Sequence, residues 1–280
     1  MAALAPASNV NALLEAADRI GLFPAAAHEI FDAFKDPEVA ASRLESVVGR
    51  DPVLTGRILK TANSPYYGRQ RRVGTIEQAL VVLGFHVLRD LAVSFALVGM
   101  SKKANPAAKP LWRHMLSTGA LAASLARHVR GVDSATALVL GTMHDMGELV
   151  MLEVEPKRHA EVLARMHPED PRIVMAERLI FGIDHAALGA ACILQWGLPP
   201  SYAAVVRTHH EPEVPAGAPL DAVVRLADAG VALMGRGLGI EVIAADLEGH
   251  PANRFASIPE RSLYLSLQRI RQDVAALTMP

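Results

Sequence analysis

The stretch ATALVLGTMHDMGELVML, Ala135 to Leu152, sets the reading of the whole chain. Its apolar residues make a helical face, and within them stand an imidazole and a carboxylate, His144 and Asp145, closed by Gly147. Burying that pair in an apolar helix is costly unless a hydrogen-bond network or a metal ion satisfies both groups. Partners of matching chemistry lie on both sides: His114 before it, and His185, His209, His210 and Asp228 after it, each in a segment that also reads as helix. Adjacent residues on a helix point about 100° apart. His144 and Asp145 therefore share a cavity only if their helix runs along its wall.

Outward from this stretch the helical reading repeats. Leu111–Val129 carries apolar residues at helical spacing, with His114 near its start. Asp170-Pro171 opens a helix that runs to Gly182. Asp184 opens another, in which Ala187, Gly189, Ala190 and Ala191 permit close packing, and Gly197 and Pro199-Pro200 separate it from the helix leading to Thr208-His-His-Glu211. Asp228 falls within Leu220–Met234, and Pro259–Leu277 reads as a final amphipathic helix. In the first half, Val10, Leu13, Leu14 and Ala17 predict a helix ending at Gly21. Asp36-Pro37 and Asp51-Pro52 each place a capping acceptor before a proline at the first helical position. Thr75-Ile-Glu-Gln78 has capping-box form, with Gly84 to close the helix that follows. No segment alternates with a period of two. The expected fold is all-α. Ser101–Pro110, polar and with two prolines, marks a boundary between an N-terminal helical lobe over 1–105 and a second lobe over 106–280.

Composition agrees. Apolar residues make up 51% and aromatics only 5%, which suits closely packed helices better than a sandwich of sheets. A formal charge of -1 provides no global field for nucleic acid or an anionic membrane, so neither is expected as a partner. One cysteine, Cys192, excludes an intrachain disulfide framework. The opening MAALAPASNV lacks the basic and apolar regions of a signal peptide, and the apolar window Ala79–Met100 is interrupted by His86, Arg89 and Asp90. The expectation is a soluble cytoplasmic protein.

Two sets of residues carry chemistry. The loop Asn63–Arg72 holds Tyr66, Tyr67, Arg69, Arg71 and Arg72, which suit either a phosphate or acidic surface or a plain solvated loop. The larger set, His114, His144, Asp145, His185, His209, His210 and Asp228, offers the mixed nitrogen and oxygen ligands that suit iron, manganese or zinc. The alternative is that these groups bond one another around ordered water. His28, His86, His128, His159, His167 and His250 have no neighbour in sequence that suggests a site.

The order of these motifs resembles the HD superfamily of metal-dependent phosphohydrolases. The first half narrows the resemblance: Asp51-Pro-Val-Leu-Thr-Gly-Arg-Ile-Leu-Lys-Thr-Ala-Asn-Ser-Pro-Tyr-Tyr-Gly68, followed by Thr75-Ile-Glu-Gln-Ala-Leu-Val-Val-Leu-Gly84, is similar to the HDOD domain, the HD-related output domain of bacterial signalling proteins. The resemblance covers about Leu22 to about Asp228. It implies an N-terminal helical lobe packed on an HD-like helical lobe, and a bacterial signal-transduction role often without catalysis. The seven His and Asp residues match the ligand positions of the related HD-GYP phosphodiesterases, with two departures. Glu148 stands where those enzymes have lysine, and PEVPAGAPL follows Glu211 with no Gly-Tyr-Pro element. A carboxylate in place of the lysine reverses the charge offered to a phosphate. The function implied is a non-catalytic signalling module that meets a signalling protein or a nucleotide second messenger. A metal-dependent phosphohydrolase acting on a nucleotide or cyclic dinucleotide is the alternative.

Overall fold

A computed structural model of the protein describes residues 10–22, 27, 29–30, 47–49, 52–63, 73–101, 105–167, 170, 172–211, 213–215 and 218–277. Among them every regular element is helical. The chain divides into two compact units, Phe23–Lys103 on one side and Met1–Leu22 with Ala104–Pro280 on the other.

The smaller unit contains three described helices, α2 (Pro52–Ala62), α3 (Ile76–Leu83) and α4 (Phe85–Ser101), which follow α1 in chain order. Pro52 occupies the first turn of α2, where its missing N–H costs nothing. Thr75 caps α3 by accepting from the Gln78 N–H at 3.1 Å, and the Gln78 side chain reaches back to the Gly74 N–H at 2.8 Å. Gly84, at φ 79, ends α3 in a conformation costly for any residue with a Cβ. The chain turns there by 119° into α4, and no single described helix is long and apolar enough to cross a membrane. Asn63 bonds Val73 twice: its amide donates to the Val73 carbonyl and its carbonyl accepts from the Val73 N–H, both at 2.8 Å. Arg69, Arg71 and Arg72 lie outside the described residues, as does Asp36-Pro37.

The larger unit begins with α1 (Val10–Arg19), which the sequence reading assigns to the first lobe. That assignment is corrected by contacts distant in sequence. Asp18 accepts from the Trp196 indole N–H at 3.0 Å and from the Gln195 amide. Leu13 and Ala17, each 1% exposed, are buried in the same unit.

The rest of this unit runs α5 (Lys109–Ala126), α6 (Ser134–Met143), α7 (Met146–Val154), α8 (Pro156–Leu163), α9 (Ile173–Phe181), α10 (His185–Gln195), α11 (Pro200–Thr208), α12 (Pro219–Gly235), α13 (Ile240–Gly249), α14 (Asn253–Ala256) and α15 (Glu260–Leu277). A core built on Leu121, Leu125, Leu226, Leu247, Leu263 and Leu267 joins α5, α12, α13 and α15. Two glycine crossings fix the helices that carry the His and Asp residues. A Cβ on Gly141 would come within 2.8 Å of Gly119 Cα, so α5 and α6 touch through bare backbone. A Cβ on Gly147 would come within 2.7 Å of Gly189 N, so α7 and α10 do the same. Small residues at the crossing bring His114 beside His144, and Asp145 beside His185.

Candidate metal centre

The apolar stretch Ala135–Leu152 is two helices, not one. α6 ends at Met143, His144 is its C-cap, and Asp145 is the N-cap of α7 with φ −101 and ψ 19. The break replaces the 100° helical offset with a bridge-region conformation, so both side chains reach one centre. The other five residues arrive from four further positions. His114 lies in the second turn of α5, and His185 begins α10 behind the Asp184 cap. His209 and His210 form the turn that ends α11, and Asp228 lies inside α12.

All seven residues come together as two sets that share a side. His114, His144 and Asp228 make one set, and Asp145, His185, His209 and His210 make the other; within each, the ligand atoms lie within 4.8 Å of one another. Asp145 stands between them. Its Oδ2 is 3.0 Å from His144 Nε2 and 3.3 Å from His114 Nε2. Its Oδ1 is 3.4 Å from His209 Nε2 and 3.5 Å from His185 Nε2. Asp228 Oδ1 completes the first set at 3.1 Å from His114 Nε2 and 3.6 Å from His144 Nε2.

The outer nitrogens of the buried histidines are committed. His144 Nδ1 donates to the Gly141 carbonyl at 2.8 Å, and His209 Nδ1 to the Val206 carbonyl at 2.6 Å. His185 Nδ1 donates to Glu177 at 2.7 Å, and the same carboxylate accepts the His185 backbone N–H at 2.8 Å. Carbonyls and carboxylates only accept, so each Nδ1 carries its hydrogen and each Nε2 faces inward. Those inward atoms crowd one another: His114 and His144 at 3.2 Å, His185 and His209 at 3.3 Å, His185 and His210 at 3.0 Å. Nitrogen lone pairs at such distances repel unless a proton or a metal ion lies among them. A carbonyl or carboxylate behind each ligating imidazole is the arrangement metal sites use to fix the ring and raise its basicity.

Charge follows the same geometry. Burial acts to lower the His144 pKa, but Asp145 and Asp228 outweigh it and hold the ring well above its ordinary value. Burial acts against the charged form of Asp145 too, and His144 beside it holds the carboxyl well below its usual range. Asp228 behaves likewise, held down by His114 and His144 against the opposing effect of burial. His185 is pushed up to about 10, because Glu177 overcomes the desolvation of the ring. His210 goes the other way, down to about 2, through burial and the neighbouring His209 and His185. The second set thus has more imidazoles than its one carboxylate can charge, and a divalent cation suits that donor set better than protons do.

A pH dependence follows. The folded His185 pKa lies above its ordinary 6.5, so in metal-free protein its contribution to stability is complete below about 6.5 and is lost as the pH rises toward about 10. A metal ion held there would have to displace that proton, so affinity for it would move the opposite way and rise over the same interval. Urea unfolding of metal-free protein from about pH 7 to about pH 9 should show stability falling while zinc affinity climbs. Stability rising with pH would contradict this.

Exposure differs across the centre, and His210 of the second set is also partly exposed. The side chains of His144, His185 and His209 are 1%, 2% and 0% exposed, against 23% for His114 and 19% for Asp228. Glu148, which the sequence reading sets against a phosphate, is buried and bonds His159 Nε2 at 3.0 Å. Its carboxylate is neither turned to solvent nor free to confront a ligand. His159, read from sequence as background, is that partner. Glu177 was also missed: it lies on α9, eight residues before His185 and across a turn, and no local pattern links the two.

Comparison with known proteins identifies the family. A family model described as the HDOD domain matches residues 20–212. An uncharacterised protein of Treponema pallidum (strain Nichols) is 26% identical over 195 residues, which are 69% of this chain and 38% of that protein. The match thus spans well under half the relative's length. The crystal structure of an HDOD domain protein of unknown function from Geobacter sulfurreducens aligns with a TM-score of 0.67 at 25% identity, over 97% of this chain and 100% of that one. A protein of Shewanella amazonensis SB2B, named as a candidate phosphohydrolase, aligns with a TM-score of 0.68 at 24% identity, over 94% and 95% of the two chains. At that identity the similarity speaks for the fold.

Proposed function

We propose, for a chain that belongs to the HDOD domain family, a regulatory role in bacterial signalling in which the His/Asp centre holds two transition-metal ions and turns over no phosphodiester. The observation that carries the metal reading is the convergence of inward-facing Nε2 atoms on both sides of one carboxylate, Asp145, while the outer nitrogens of His144, His185 and His209 are tied back. The first set would take one ion through His114, His144 and Asp228, and the second would take another through His185, His209 and His210. Iron, manganese and zinc are the metals that such mixed nitrogen and oxygen ligands suit. The ions would serve as a structural or sensory element, and the module would answer to a signalling protein or a nucleotide second messenger in the cytoplasm. Its single cysteine, buried Cys192, accords with that compartment.

The non-catalytic part rests on Glu148. A lysine beside a phosphoryl centre stabilises the charge that develops on the leaving oxygen. Here the position after Gly147 carries a buried carboxylate engaged with His159, so the attraction a lysine would supply is absent. The competing reading, a metal-dependent phosphohydrolase, is favoured by the edge where His114 and Asp228 reach solvent.

Steady-state hydrolysis of cyclic di-GMP and of a chromogenic phosphodiester separates the two. Metal-loaded protein should release product no faster than the metal salt alone, and Asp145→Ala should be indistinguishable from it. Robust turnover that vanishes in Asp145→Ala would make the protein a phosphohydrolase and overturn this reading.

A further inference from the structure

His209 and His210 are adjacent, yet both Nε2 atoms converge on His185, at 3.3 and 3.0 Å. Their rings lie 4.1 Å apart at 44°. They sit where α11 has ended, in a turn that the Glu211 N–H closes on the Thr208 carbonyl at 2.8 Å. A second hold on the turn comes from outside it.

α12 supplies that hold from both flanks. On the near side, Thr208 Oγ1 donates to Asp221 Oδ2 at 2.5 Å. On the far side, Arg225 Nη1 donates to the Glu211 carbonyl, while Arg225 Nε donates to Asp221 Oδ1. The two residues bracketing His209-His210 are thereby tied to one ion pair. Asp221 and Arg225 are four apart on α12 and share a face. Three residues further along, the same helix presents Asp228 to the first set.

The pair is poorly explained by stability. Both side chains are almost wholly buried, at 5% and 3% exposed for Arg225 and Asp221. Arg225 Nη2 has no hydrogen-bond partner among the described residues. A buried ion pair with an unmet donor is commonly less stabilising than apolar side chains of the same volume. What the pair does in this fold is tie down the turn that carries His209 and His210.

We propose that the Asp221–Arg225 pair is a positioning device for the His209-His210 turn, setting the metal affinity of the set formed by Asp145, His185, His209 and His210 while leaving the His114, His144 and Asp228 set unaffected. This rests on the metal reading above. Thr208, Asp221 and Arg225 are positioning residues, since none is a ligand. Partners that orient a ligating group typically change metal affinity by about 10–100-fold.

The test is titration of the metal-free protein with zinc against a competing chromophoric chelator, and with cobalt(II) for its visible spectrum. Wild type should bind two equivalents. Thr208→Val, which removes only a hydroxyl, and Arg225→Met, which removes the guanidinium at similar volume, should each weaken one equivalent by about 10–100-fold and spare the other. The cobalt bands of one site alone should shift, and Thr208→Ser should restore wild-type behaviour. Should Arg225→Met fail to fold by circular dichroism, Thr208→Val decides. Two equivalents at wild-type affinity in the variants, or equal loss at both sites, overturns the proposal alone. A wild-type protein that takes up no zinc overturns the metal reading and the proposal with it.

Discussion

Asp145→Asn protein, purified under the same metal-replete conditions as wild type, should lose metal from both sets at once, with affinity down by more than about 100-fold. Its two carboxylate oxygens face the two sets. One oxygen faces His144 and His114 at 3.0 and 3.3 Å, the other faces His209 and His185 at 3.4 and 3.5 Å. Asparagine keeps the shape, so the break between α6 and α7 and the Gly147–Gly189 crossing should survive. What it removes is the negative charge that offsets two clusters of imidazoles. Elemental analysis beside a far-UV spectrum separates loss of ligand from loss of fold. Near-stoichiometric metal in a folded Asp145→Asn protein would show that the carboxylate is not the shared ligand.

The largest effect on stability should come from Glu177→Ala. This carboxylate is fully buried and accepts two bonds from one residue, the His185 N–H at 2.8 Å and Nδ1–H at 2.7 Å. Truncation leaves a buried backbone donor and a buried imidazole without partners, and removing one side of such a buried charged pair costs about 3–5 kcal/mol. Glu177→Gln retains one acceptor oxygen and should cost less. Urea unfolding of metal-free protein measures both. A loss under about 1 kcal/mol for Glu177→Ala would mean that His185 is held by something other than Glu177.

What the sequence made legible and what it concealed divide along the range of the interactions. Helix boundaries at Pro52, Thr75, Gly84, Gly182 and Asp184 depend on capping and backbone preferences within a few residues, so they can be read locally. The seven His and Asp residues stood out because buried imidazoles beside carboxylates need partners whatever the fold. The division of α1 from the first lobe was hidden, because it depends on Asp18 meeting Trp196 across most of the chain. Glu148 and His159 are separated by the Glu155-Pro156 break, and only the packed fold brings them together. Thr208, Asp221 and Arg225 are unremarkable in sequence, since a clamp made of common residues carries no motif. The arginine loop at Arg69, Arg71 and Arg72 lies outside the described residues, and its reading as an anion or partner surface remains a proposal from sequence.

The central claim is that the chain is built to hold metal. Wild-type protein prepared without a histidine tag or chelator, with iron, manganese and zinc available during expression, should carry about two equivalents of transition metal by elemental analysis. Less than roughly a tenth of an equivalent in total would contradict the claim and leave the seven residues as a hydrogen-bonded network.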